Sequence, residues 1–165
     1  MKIKGSGIQY VIELLDMIVE WYDKNLNKEE VPRRSGYFTL RNRIDGRVLL
    51  HCQISQCPNE DKAAKWAYFS LHEKGPRLLK HPDHVSSFQS KNEEAAQYAG
   101  AIAVSDLVLS FSGLPELADE AVMLTLAFML KWATSEEVEA IAKISGNTIY
   151  EELKAFVKMH YSIMR

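Results

Sequence analysis

Residues 100–132, GAIAVSDLVLSFSGLPELADEAVMLTLAFMLKW, decide the fold. Tyr98 to Val104 and Leu107 to Phe111 are rich in Ile, Val, Leu and aromatic residues, as strands require. Ser105-Asp106 between them suits a tight two-residue turn. Ser110-Phe111-Ser112-Gly113 then turns the chain sharply, and Pro115 fits the first helical turn, where its missing N–H costs nothing. Glu116, Asp119 and Glu120 set negative charge at the positive end of the helix dipole. From Ala121 to Leu130 only Thr125 is polar, and a helix apolar all round has to be covered on every side. The run is too short to span a bilayer, so it predicts a buried helix or an oligomer interface. A Ser/Gly corner before a helix can cradle phosphate. Here three carboxylates repel an anion and no Gly-rich fingerprint accompanies the corner.

Outward from this stretch, Gly7 to Leu26 sets Ile8, Val11, Ile12, Leu15, Ile18, Val19, Tyr22 and Leu26 on one helical face. Tyr37 to Arg43 and Arg47 to Ile54 read as a second hairpin around Asp45-Gly46, a type I′ pair. Phe38, Leu40, Val48, Leu50, Cys52 and Ile54 fall on one face. Tyr37, Thr39, Arg41, Arg43, Leu49, His51 and Gln53 fall on the other, half-polar one. Pro58-Asn59-Glu60-Asp61 opens a helix that Gly75-Pro76 is expected to stop after Lys74. Its mix of Ala63, Ala64, Trp66, Ala67, Phe69, Ser70 and Leu71 predicts close packing on a sheet. Arg77 to Glu94 reads as a polar connector. Thr134-x-x-Glu137 and Thr148-x-x-Glu151 are capping boxes for two further helices, the first stopped at Gly146.

The chain is 165 residues long, enough for one domain with a sizeable core. Its net charge of −2 gives no general attraction to nucleic acid or anionic lipid. MKIKGSGIQY has no apolar signal core and no run reaches membrane-spanning length, so a cytoplasmic protein with no membrane or nucleic-acid partner is expected. Cys52 and Cys57 have neither redox-pair nor zinc-site spacing, and Cys52 reads as a packing thiol. The expected architecture is α+β, an antiparallel sheet from two hairpins flanked by helices, with two extra C-terminal helices.

Ser112-Gly113-Leu114-Pro115-Glu116-Leu117-Ala118-Asp119-Glu120-Ala121 is similar to the strand-end pattern S-G-x-x-P-E-x-x-D-E-A of the haem-binding HbpS and GlcG family, with one residue fewer before the proline. Asp61-Lys62-Ala63 resembles that family's D-K-A at its middle helix. By element order the resemblance covers residues 7–132, leaving 133–165 as a helical extension. It implies a profilin-like sheet, a homo-oligomer, and haem or a related tetrapyrrole as a possible cofactor. It assigns no family haem ligand to any histidine of this chain.

Three groups of residues are candidate sites. Lys62, Lys65 and Trp66 lie within about one turn of a helix. There they can hold a ligand carboxylate and stack a flat ring, or simply form an amphipathic surface around a core tryptophan. His51, on the mixed hairpin face, could meet them across a groove or be a satisfied histidine. His81-x-x-His84, with Asp83 between, offers imidazoles to a transition metal or an axial position to haem, and is equally a solvated loop. Ser110 and Ser112 lack a G-x-S-x-G frame, and adjacent Asp119 and Glu120 point in different directions on a helix. The leading expectation is an oligomeric small-molecule-binding protein. A self-assembling structural protein without cofactor and a metal-assisted enzyme using His81 and His84 stand as alternatives.

Overall fold

A computed structural model describes residues 5–57 and 59–163; Pro58, expected to open a helix, lies outside them, as do residues 1–4 of the N-terminal stretch. Helix α1 (Gly5–Asn25) leads into strands β1 (Gly36–Asn42) and β2 (Val48–Ile54). A long helical segment follows: α2 (Glu60–Tyr68), a π-helical turn (Phe69–Lys74) and α3 (Gly75–Lys80). Strands β3 (Ala101–Val104) and β4 (Leu107–Ser112) precede helices α4 (Glu116–Met129), α5 (Ser135–Ser145) and α6 (Thr148–Ile163). The fold is α+β, with helices flanking one open antiparallel sheet of order β2-β1-β4-β3.

The sheet separates two environments because side chains alternate along each strand. Phe38, Leu40, Ile102, Val104, Leu109 and Phe111 face α1 and α4 and form the main core with Leu15, Ile18, Val122 and Leu126. On the opposite face Ala101, Ala103 and Val108 pack against Leu78 of α3. The small alanines let that helix approach closely. Helices α5 and α6 close the outside of α4 with Val138, Ile141, Tyr150, Leu153 and Phe156, and Phe156 meets Trp21 of α1 at 5.4 Å. The apolar helix is therefore covered within the chain: every residue from Ala118 to Ala127 is buried. Of the two readings of that helix, interior element and oligomer interface, the first holds.

Several local expectations are corrected. The β1–β2 hairpin does not turn on two residues. Its connection runs from Arg43 to Arg47, with Asn42 Oδ1 accepting from the backbone N–H groups of Ile44 and Asp45 at 2.8 and 3.2 Å and Gly46 at φ +72°. An Asx side chain gives the backbone these alternative bonds. Leu40 pairs with Leu50 but Arg41 pairs with Val48, so Leu49 is a bulge residue. The bulge turns Val48 out of the core face, 39% exposed, and packs Leu49 against the core instead.

Gly75-Pro76 does not stop the middle helix. A proline ring clashes with the carbonyl four residues back, here that of His72, and the wider π turn lies at that point. The helix ends at His81, whose conformation the following Pro82 restricts. Close packing on the sheet also starts later than expected: α2 has no buried residue, and burial begins at Ser70. Tyr98 to Gly100 are not strand, because Gly100 kinks the chain at φ +116° before β3. Pro115 is the N-cap of α4 rather than a first-turn residue, and α6 is capped by Asn147, whose Oδ1 accepts from Tyr150 N–H at 3.0 Å. The Thr134 capping box and the Gly146 stop at φ +63° are as expected.

The supposed polar connector is tied down. Arg77 is buried and donates to the carbonyls of Ser90 and Tyr98, while Ser86 bridges to Ile102 and donates to the buried carboxylate of Glu120. Among the described residues no helix is long and apolar enough to cross a membrane.

Candidate functional site

The π turn sets the site. It swings Lys74 under the end of β4, where only 2% of the side chain is exposed. Lys74 Nζ donates to the carbonyl of Phe111 at 2.8 Å and to Asp119 Oδ2 at 2.7 Å. Asp119 Oδ1 accepts from Leu114 N–H at 2.9 Å, so the helix start and the strand end converge on one carboxylate. Burial pushes the Asp119 carboxyl up to about 7, and the neighbouring Lys74 opposes that rise. A buried ion pair is costly to desolvate and is a weak stability device, which makes its position beside a cavity informative.

The cavity has a volume of about 160 Å³. Lys74 and Asp119 lie in its wall with Ser112, Gly113 and Leu114, and Lys65, Trp66, Phe69, Tyr98 and Glu116 complete it. Tyr98 meets Phe69 edge-on at 5.0 Å, and Lys65 Nζ stands 5.7 Å from the centre of the Phe69 ring. The Glu116 carboxylate is occupied: it accepts from Ala99 N–H at 2.7 Å and pairs with Lys91 at 2.5 Å. Asp119 is neutralised by Lys74 and Glu116 by Lys91, so the repulsion that the bare sequence suggests is relieved and the aromatic opening with Lys65 at its edge suits a flat anion.

Gly100 permits the Lys74–Asp119 contact. A Cβ there would stand 2.6 Å from Asp119 Cβ and 2.8 Å from Lys74 Nζ, on a backbone that L side chains rarely adopt. Gly100→Ala is expected to cost roughly 2–4 kcal/mol from strain and overpacking together. Urea unfolding checks it; a loss below about 0.5 kcal/mol, the size of an ordinary surface substitution, would mean that the pair does not need this close approach.

Of the residues singled out from sequence, Lys65 and Trp66 line this cavity. Lys62 is exposed one turn earlier, its backbone N–H capped by Asn59 at 2.8 Å. His51 stacks on Tyr37 at 5.6 Å and its Nδ1 lies 2.9 Å from Thr39 Oγ1, within a chain of hydroxyls that runs through Ser70 to β4. Burial lowers its pKa, and it is not part of the cavity wall. His81 lines a second cavity of about 260 Å³ with His72, Glu73 and Arg77. The His84 ring stacks on His81 at 4.8 Å with planes 15° apart, and its Nδ1 is buried without a partner. Nearly parallel rings hold their in-plane lone pairs side by side rather than converging on one ion. Among the described residues no group of three His, Cys, Asp or Glu side chains could hold a metal.

The wall of the first cavity carries no histidine, and its tyrosine is packed on Phe69, so it presents no imidazole to a haem iron. Burial pushes the Cys52 thiol up to about 11, which leaves it a packing group.

Sequence reading missed Lys74, Asp119 and Tyr98. The available signal was Asp119-Glu120 at the head of an otherwise apolar helix, since carboxylates in such a place need buried partners. Comparison with protein-family models, curated proteins and solved structures returns no match to this chain.

Proposed function

We propose that this protein is a small-molecule-binding module for a compact planar carboxylate, held between α2, the π turn and the end of the sheet. The observation that carries the reading is a ring-sized cavity that joins an aromatic opening to a buried lysine. Trp66 supplies the flat surface, Lys65 the positive charge, and Lys74, paired with Asp119, a buried N–H donor. Helix α2, with no buried residue of its own, can adjust over a ligand without breaking the core. The likeness to the HbpS and GlcG family agrees with a binding role and extends it to assembly. That assembly would use surfaces other than α4.

Benzoate is the probe. Titration followed by tryptophan fluorescence is expected to saturate in the wild type. Trp66→Ala should weaken binding by about tenfold, equivalent to about 1.4 kcal/mol of lost stacking and contact. Lys65→Met should weaken it less and reduce its salt dependence. Benzoate binding untouched by Trp66→Ala would place the ligand elsewhere. Haemin run with the protein on size-exclusion chromatography tests the wider reading: a co-eluting Soret band abolished by His81→Ala with His84→Ala would move the site to the connector.

A further inference from the structure

We infer that Lys74 forms an imine with a small carbonyl acid, such as a 2-oxo acid or an aldehyde acid, with Asp119 as its proton partner. The inference rests on the cavity being the binding site, and it goes on to assign chemistry there. Four observations converge on it. Lys74 is the cavity's buried amine, and two of its three donor positions are used, by Phe111 and Asp119. A carboxylate 2.7 Å away can take and return a proton. Lys65, on the same cavity wall, can hold the acid's carboxylate. The cavity, about 160 Å³ in volume, has room beside the amine for a small carbonyl acid. Desolvated lysines are the side chains that form Schiff bases with carbonyl compounds.

The step balances without a further reagent. The Lys74 ammonium gives one proton to the Asp119 carboxylate, and the free amine adds to the carbonyl carbon. The new C–N bond replaces the C–O π bond, and the oxygen takes a proton from the nitrogen to give a carbinolamine. Protonated Asp119 then donates to the hydroxyl, which leaves as water. The product is an iminium that keeps one N–H beside the regenerated carboxylate. Burial of Asp119, which raises its affinity for a proton, supports the first transfer.

The experiment uses the full chain with glyoxylate and cyanoborohydride, which delivers hydride to the iminium carbon and traps a secondary amine. Peptide mass spectrometry then locates the adduct. The expected result is an adduct on Lys74 ahead of exposed Lys62, with benzoate suppressing labelling at Lys74 and leaving Lys62 unchanged. Mapping in the wild type avoids dependence on a Lys74 variant that fails to fold. Labelling of Lys62 and Lys65 with Lys74 unmodified overturns the inference. If benzoate binds and Lys74 stays unlabelled, the imine falls and the binding role stands. If benzoate fails to bind and Lys74 stays unlabelled, both fall. Labelling of Lys74 without benzoate binding upholds the imine and overturns the preference for a planar ring.

Discussion

Deletion of residues 134–165 is expected to unfold the protein rather than to release a smaller, folded subunit. The cut removes Val138, Ile141, Leu153 and Phe156, all buried against α4. At about 1.5–3 kcal/mol for each buried side chain of this kind, roughly 6–12 kcal/mol of burial is lost. A domain of this size has about 5–15 kcal/mol of net stability, so the loss is of the same order as the whole. A polar debt follows. The carboxylate of Glu120, fully buried, accepts from Ser86 in the connector, from Ser145 at the end of α5, and from Asn147 Nδ2 at 2.8 Å. Two of those three donors lie beyond the cut, and an unsatisfied buried carboxylate is expensive. Circular dichroism and size exclusion of the 1–133 fragment check this. A folded monomer with cooperative melting would show that α5 and α6 are an accessory rather than part of the core.

That dependence was only half visible in the sequence. The apolar run after Ala121 demands cover, but nothing in its composition says whether another chain or the C-terminal helices supply it. The hairpins were legible because alternation and turn residues are local properties. The Leu49 bulge was not, since Val48-Leu49-Leu50 offers three apolar residues to either face and only pairing with β1 selects one. The end of the middle helix was misread for a related reason. Proline usually ends a helix, and the π turn that accommodates Pro76 is held from outside it: Ser70 is pinned by Thr39 at 2.8 Å, and Ser110 Oγ donates to the Ser70 carbonyl at 2.7 Å. Lys65 and Trp66 were found because one helical turn brings them together. Lys74 and Asp119 meet only because the sheet carries β4 beneath the π turn, and no spacing rule connects them.

Removing one partner of the Lys74–Asp119 pair should cost far more than removing both. Lys74→Met leaves a carboxylate buried with Leu114 N–H as its remaining donor, and such half-pairs cost about 3–5 kcal/mol. Lys74→Met combined with Asp119→Leu should recover much of that loss, because the desolvation cost disappears with the charges. The pair also sets a pH signature. The folded pKa of Asp119 is raised from 3.8 to about 7, so the folded state binds this proton more tightly than the unfolded chain does. Its stabilising contribution is complete below about pH 4 and is lost as pH rises through 7. Wild-type stability should therefore fall relative to Asp119→Asn across that window. Glu73 and Glu120 are also raised by burial and contribute a fall of the same sign, which is why the comparison with Asp119→Asn isolates the one group. In Lys74→Met the carboxyl loses its cation and moves higher still, so the penalty of that variant should grow from pH 5 to pH 8. Urea unfolding of the four proteins at both pH values is the measurement. A Lys74→Met penalty that shrinks from pH 5 to pH 8 would show that Asp119 remains ionised without its partner. That result would remove its place as the proton acceptor beside the amine.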